Sequence, residues 1–227
     1  GWARRMDRTG VIIDPTSDAY DLAFVLLAHA WRYRLTRDPA LIEGAAGVIT
    51  TLNNDLKAPG GLGWLADAGA SGPRQQNPHM HIMEAALEML DASGDARFAA
   101  LAHQVADLFL HHIIDRRTGI LREFFTADWK PLDSAEGHII EPGHMLEWVW
   151  ILVRAHRLLG LATLDDAQRL YAFATRHGTD PRTGLIYDQI RSTGAPLTRD
   201  SRLWPQTEAL KAHIAMMETF GLDTSPQ

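Results

Sequence analysis

Tyr20, His81, His144 and Glu208 stand at comparable points of four successive helical segments, separated by 61, 63 and 64 residues. An internal repeat of that length restricts the fold more than any other feature of this chain. Around each of these residues apolar positions recur every three or four places, and convincing alternating strands are few, so the segments read as helices. The spacing predicts helices over Asp18–Thr36, Pro39–Leu56, Asn77–Ser93, Ala96–Ile114, Gly143–Leu159, Thr163–His177 and Pro205–Phe220. Short turns join the members of each pair, as in Thr36-Arg37-Asp38-Pro39 and Ala92-Ser93-Gly94-Asp95. Pro39 suits a first helical turn, and Asp38 or Asp95 suits a cap on the free amides that follow.

Longer Gly- and Pro-containing connections follow each second helix, over residues 57–76, 115–142 and 178–203. Two of them carry nearly one phrase, Asp115-Arg116-Arg117-Thr118-Gly119-Ile120-Leu121 and Asp180-Pro181-Arg182-Thr183-Gly184-Leu185-Ile186. Each reads as a turn followed by a short strand, Leu121–Phe125 and Leu185–Gln189. The same phrase occurs as Asp7-Arg8-Thr9-Gly10-Val11-Ile12, which implies a further helix pair upstream. One repeat is therefore helix, short turn, helix, long loop. Such hairpins cannot bury their apolar faces alone and must stack on their neighbours. With inner helices more apolar than outer ones, the expected fold is all-α, a single partial α/α toroid of about three and a half hairpins over residues 1–227. The long loops would gather at one rim beside the first turns of the inner helices, where free amides favour anionic or polar ligands.

Composition removes several functions. The chain has no cysteine, so disulfide frameworks, thiolate metal sites and cysteine nucleophiles are out, as a reducing cytoplasm would permit. Its net charge of −6 argues against nucleic acid or an anionic membrane surface as partner. The longest apolar runs, such as residues 23–28, fall far short of the ~20 residues that span a bilayer, and no signal-peptide pattern opens the chain.

The chemistry sits at the helix starts. His144 and Glu147, three residues apart, share a helix face, so the carboxylate is placed to orient the imidazole. A neutral, oriented imidazole near pH 7 shuttles protons well, although a satisfied core histidine is the blander alternative. Asn77 and His81, four apart, share a face in the same way, with Asn77 also suited to capping its own helix. His79 lies about 200° from His81 around the helix, and neither HExxH nor cysteine is present, so no metal site is expected. Trp2, Tyr20, Trp64, Trp148 and Trp204 offer rings for stacking or for the core. Arg202, Trp204 and Glu208 converge at one helix start, Glu123 and Asp188 lie where loop strands could carry them to the same rim, and Arg32 and Arg34 read as solvated.

Three phrases, Asn77-Pro78-His79-Met80-His81, Glu141-Pro142-Gly143-His144-Met145-Leu146-Glu147-Trp148 and Leu203-Trp204-Pro205-Gln206-Thr207-Glu208, resemble motifs of the N-acylglucosamine 2-epimerase superfamily. They are most similar to its mannose isomerase-type branch, which includes isomerases of mannose and sulfoquinovose, and the resemblance covers essentially the whole chain. It implies an (α/α)6 barrel and a monosaccharide ligand, an unphosphorylated hexose, with no cofactor and no metal. It implies that His144 is one of two histidines moving a proton between C1 and C2 through a cis-enediol(ate), that Glu147 orients it, and that His81 assists ring opening. Asn77 and Trp204 would hold the sugar, and Tyr20 and Glu208 on neighbouring spokes complete the candidate substrate-binding set. The family's second catalytic histidine and its substrate-binding arginine have no matching position here. A chain ending at these termini is expected to show negligible isomerase activity, and its open edges to favour association into a homo-oligomer. Two other enzyme readings share the fold. An N-acylglucosamine or aldose 2-epimerase begins with the same proton removal, and a glycoside hydrolase needs a carboxylate pair drawn from Glu141, Glu147 and Glu208. A helical-repeat scaffold without activity fits least, because its period is usually shorter.

Overall fold

Asp18 opens the first helix by accepting hydrogen bonds from the amides of Tyr20 (2.8 Å) and Asp21 (3.2 Å), two donors that no earlier carbonyl satisfies. In the computed structural model, which describes residues 2–221, seven α-helices are present among the described residues. They are α1 (Ala19–Thr36), α2 (Ala40–Asp55), α3 (Asn77–Ser93), α4 (Ala96–Leu108), α5 (Pro142–Leu159), α6 (Leu164–Gly178) and α7 (Leu203–Phe220). The chain divides into two units, residues 1–109 and residues 110–227.

In the first unit α1 packs against α2 and α3, and α3 against α4. Eleven of the seventeen residues of α3 are buried, so it is an inner helix. α2 buries only the stripe Leu41, Ala45, Val48 and Leu52, the signature of an outer helix. Each fully buried leucine of that stripe contributes roughly 1.5–3 kcal/mol. Arg34 is not a solvated group. It reaches the buried carboxylate of Glu88 at 3.1 Å and ties α1 to α3. α1 ends on Arg37 in the left-handed region (φ 55°), a conformation a non-glycine residue holds here because its guanidinium donates to the Ala92 carbonyl at 3.0 Å. α3 ends on Gly94 (φ 71°), where the same conformation carries no side-chain penalty.

In the second unit α5 packs against α6 and α7. Twelve of the eighteen residues of α5 are buried, whereas α6 turns the stripe Ala167, Leu170 and Ala174 inward. The side chain of Asp166 is wholly buried and is bridged by Arg116 (2.9 Å) and Arg169 (3.1 Å), which fastens the loop before α5 to α6.

The repeated loop phrase folds alike in two copies and in a shortened form in the third. Asp115 accepts the amides of Arg117 and Thr118, Gly119 donates to the Asp115 carbonyl at 2.7 Å, and Ile114–Asp115 pairs antiparallel with Ile120–Leu121. Asp180 and Gly184 reproduce that turn, and Asp7 with Gly10 makes a version one residue shorter, in which Asp7 accepts the amides of Thr9 and Val11. An Asx turn closed by a positive-φ glycine thus explains why the phrase recurs.

Three expectations about elements need correction. α4 stops at Leu108 and the chain continues as a π-helical turn over Phe109–Ile113 and a strand at Ile114–Asp115, so no single helix covers Ala96–Ile114. No strand runs through Leu185–Gln189. Ile186 makes one bridge with Thr179, and the strand lies at Ile190–Arg191, paired with Ile139–Ile140. Leu121–Phe125 is likewise broken into Ile120–Leu121 and Phe124–Phe125. In each loop the hairpin turn fixes where pairing starts, and the apolar run alone does not show that.

Apolar side chains stay exposed along one face of α1 (Trp31, Leu35) and of α7 (Leu210, Ile214, Met217). No helix among the described residues is long and apolar enough to cross a membrane.

Candidate functional site

In the second unit the site is built on the first turn of α5. Pro142 sits at its first position, where a missing amide proton costs nothing. Gly143 follows because the Trp204 ring occupies the space a Cβ would need, 2.6 Å from where that atom would stand. His144 comes next and is 8% exposed. Its Nδ1 lies 3.0 Å from Glu123 Oε2 and 3.6 Å from Glu141 Oε2, and its ring centre is 5.0 Å from that of Trp204. Glu123 reaches it from the loop between two short strands, anchored by its amide to the Ile139 carbonyl.

Burial pulls the His144 pKa down, but the charge and hydrogen bond of Glu123, with the charges of Glu141 and Glu147, outweigh that and raise it to about 9. That shift favours the imidazolium over the neutral ring at pH 7. Glu141 is pushed above the ordinary carboxylate range by its own burial, against the attraction of His144. Gln189 donates to Glu141 at 3.0 Å, and Arg202 stands 3.6 Å from it while pairing with Asp188 at 3.0 Å.

These distances revise two sequence-based expectations. The raised pKa favours the imidazolium of His144 where a neutral ring was expected, and the carboxylate that hydrogen-bonds it is Glu123. Helical side chains lean toward the N-terminus, so His144 approaches Glu141, three residues before it, while Glu147 acts on it through its field. Glu208 accepts from the Trp150 indole at 2.9 Å and pairs with Lys211 at 2.6 Å, so its carboxylate braces α7 against α5. Gln206 pairs with both backbone groups of Ile186 and holds the loop to the start of α7.

In the first unit, the start of α3 carries two histidines that face apart. His79 is buried, donates from Nδ1 to the Gln75 carbonyl (2.9 Å) and accepts the Trp64 amide at Nε2 (3.0 Å). Burial lowers its pKa to about 4, which fixes it neutral. Both ring nitrogens are thereby used. His81 turns the other way, 3.1 Å from Glu84, with its ring 5.0 Å from Tyr20 and 4.8 Å from Phe24. Asn77 is the first residue of α3, and Gln76 occupies the cap position, so Asn77 is not the cap. Its Oδ1 is buried without a hydrogen-bond partner among the described residues. A cavity of about 430 Å³ opens here, walled by Arg4, Asp18, Tyr20, Asp21, Gln75 and Asn77. Tyr20, Asn77 and His81 are thus gathered in one unit, and His144, Glu147, Trp204 and Glu208 in the other. Arg4 and Asp21 were not foreseen, although the Asp18 cap marks the turn that presents them.

The sequence model of the N-acylglucosamine 2-epimerases matches residues 1–226. The chain belongs to that family. A mannose-6-phosphate isomerase of Rhizobium meliloti is 35% identical over 90% of this chain and 54% of its own length. A D-mannose isomerase of Thermobifida fusca is 30% identical over 97% of this chain and 58% of its own. A cellobiose 2-epimerase of Bacteroides fragilis is 25% identical over 93% and 58%. The chain thus spans little more than half the length of these relatives. Among solved structures, a D-mannose isomerase superposes with a TM-score of 0.82 at 19% identity, covering 96% of this chain and 62% of that one. A Bacillus thermoamylovorans cellobiose 2-epimerase gives 0.80 at 18%, covering 94% and 58%. As a member of the 2-epimerase family, the chain shares the α/α-toroid fold of these enzymes, represented among the described residues by three helical hairpins and one further helix.

Proposed function

We propose that this chain carries the proton-donating part of an aldose–ketose isomerase for a hexose of the mannose type. The observation that carries the reading is His144, buried between the carboxylates of Glu123 and Glu141, which favour its charged form, with the Trp204 ring alongside. Moving a carbonyl from C1 to C2 takes the proton from C2 and places negative charge on the enediolate oxygen. A charged donor in a dry site stabilises that oxygen as it forms, typically worth 10²–10⁴-fold in rate. Nδ1 is tied to Glu123, so the transferable proton is the one on Nε2. Donation to O1 leaves a neutral imidazole, which recovers a proton from the O2 hydroxyl as the carbonyl forms at C2, while the proton taken from C2 is delivered to C1 by the base that removed it. Trp204 offers a flat apolar face to the C–H side of a sugar ring; taken by itself, the first unit presents Tyr20 and His81 as rings and Asn77 as a polar group. The mannose isomerase relatives support this substrate class.

A 2-epimerase is the second reading, supported by the cellobiose 2-epimerase relatives. It uses the same acid and returns the proton to the opposite face of C2. A hydrolase is less well served, because Glu123 and Glu141 both attend His144 and Glu208 is held by Trp150 and Lys211. The test is to incubate the full encoded protein with D-mannose in deuterated water. Isomerase activity gives fructose, and epimerase activity gives glucose deuterated at C2. His144→Gln should lower turnover by roughly a thousandfold with melting temperature little changed. Full activity in that variant, or recovery of mannose alone from the native enzyme, would overturn the reading.

A further inference from the structure

We infer that Gln189 is a positioning residue: it holds Glu141 away from the Nδ1 proton of His144, so that Glu123 alone accepts that proton and the ring keeps one tilt toward its substrate. The inference rests on the proton-transfer reading of His144 and adds the residue that decides between its two carboxylates.

An imidazolium carries a single hydrogen on Nδ1, and two carboxylates compete for it. Glu123 takes the hydrogen bond at 3.0 Å, while Glu141 stops 3.6 Å away, beyond hydrogen-bond distance. Glu141 stands at the N-cap position of α5, yet its side chain caps no amide of that helix. Its Oε1 instead accepts the Gln189 side-chain amide at 3.0 Å, which leaves Oε2 facing the ring. Arg202 does not replace that donor. It stands 3.6 Å from Glu141, is half exposed, and gives its Nε to Asp188 at 3.0 Å.

Gln189 can act this way because its backbone is fixed. Ile139–Ile140 pairs antiparallel with Ile190–Arg191, Ile140 opposite Ile190, so Glu141 and Gln189 form the next opposed pair of that ladder. At the other end His138 and Ser192 are joined twice, by the Ser192 amide to the His138 carbonyl and by Ser192 Oγ to His138 Nδ1, both at 2.9 Å. The Gln189 carbonyl is held in turn by the Leu197 amide at 3.0 Å. An amide also suits the place chemically. It donates to a carboxylate without adding a positive charge beside the imidazolium. Burial raises the pKa of Glu141, as does the Glu123 charge, while His144, the Gln189 hydrogen bond and Arg202 lower it. Without that amide the charge of Glu141 is less well held, and what remains of it turns to Nδ1, in competition with Glu123.

The experiment follows the His144 ring by NMR from about pH 4 to about pH 10 in the full encoded protein, with mannose turnover measured alongside. In the native enzyme the ring should show two steps, Glu141 titrating on the acid side and its own loss of a proton on the alkaline side. Gln189→Leu should move the acid step up by about one unit. It should also lower kcat about tenfold with KM little changed, since the acid is present but mis-aimed. Gln189→Lys restores a donor together with a charge, so the acid step should return to its native place while the alkaline step falls. Ser192→Ala, at the far end of the ladder, should move neither step. An acid step that fails to rise in Gln189→Leu, or an equal rise in Ser192→Ala, overturns the inference, the second by showing that the loop and not the amide matters. Absence of turnover by the native enzyme would overturn the isomerase reading instead, and the NMR titration still decides the part played by Gln189.

Discussion

His79 and His144 occupy the same place on two inner helices, the third residue of α3 and of α5, and both are buried. One has its pKa lowered to about 4 and the other raised to about 9. Burial pushes both down, so it cannot be the cause of the difference. His79 is surrounded by backbone, with a carbonyl taking its Nδ1 proton and an amide filling Nε2. His144 faces carboxylates from two elements, Glu123 on the loop and Glu141 at the helix start. Position on the helix gives a histidine its burial, and the loop opposite gives it its charge. A neutral histidine locked at both nitrogens is a structural part, whereas a charged one with a transferable proton is equipped for chemistry.

The largest expected effect comes from removing the structural member. His79→Leu strands the Trp64 amide and the Gln75 carbonyl, each buried group costing about 1–3 kcal/mol, and the measured loss of unfolding free energy should reach roughly 2–5 kcal/mol. The two histidines also tilt stability against pH in opposite directions. Because the His79 pKa is depressed, the unfolded chain binds its proton first, so stability is present above pH 6.5 and is lost as pH falls toward about 4. At full effect that amounts to about 3 kcal/mol. Because the His144 pKa is raised, its contribution is present below pH 6.5 and is lost as pH rises through about 9. Denaturant melts across this range should therefore fall off on both sides, and His79→Leu should flatten the acid side alone. An acid slope that survives the substitution would assign it to other groups.

Glu123→Gln tests the other half of the comparison. The amide keeps an acceptor near Nδ1 but removes the nearest charge, and His144 should titrate roughly 1–3 units lower by NMR. The alkaline limb of the turnover profile should move down with it, and an unmoved limb would return the charging role to Glu141 and Glu147. That role is where the sequence was least legible. Glu147 shares a helix with His144 and offers itself at once, while Glu123 is 21 residues away and meets the ring only after the Asp115–Gly119 turn has folded. Local periodicity did better. Asn77–Ser93 forms over the predicted residues, and the three-and-a-half-hairpin organisation is present, because an inner helix must bury most of its surface and its composition records that. The π-helical turn after Leu108 and the broken loop strands escaped, since tertiary pairing and not composition decides them. Arg4 and Asp21 escaped for a related reason: each looks like a solvated charge until Asp18 caps α1 and a cavity opens beside it.

The smallest effect should come from glycines, and it separates the charge of His144 from the surface beside it. Gly143→Ala would place a Cβ 2.6 Å from the outer edge of the Trp204 ring, the free end of a half-buried side chain. The ring yields, at a cost of about 1 kcal/mol, and swings from its 5.0 Å position against His144. Glu123 and Glu141 stay where they are, so the alkaline limb should hold while KM for the sugar rises several-fold. Gly178→Ala makes the useful control. Its Cβ would meet Pro142 at 2.5 Å, and a proline at the start of α5 is rigid, so the strain goes into the helix that carries His144. That variant should lose stability and kcat together. If Gly143→Ala also lowers kcat and moves the pH limb while KM stays constant, then Trp204 shapes the histidine and not the sugar, and His144 owes its state to the ring as well as to its carboxylates.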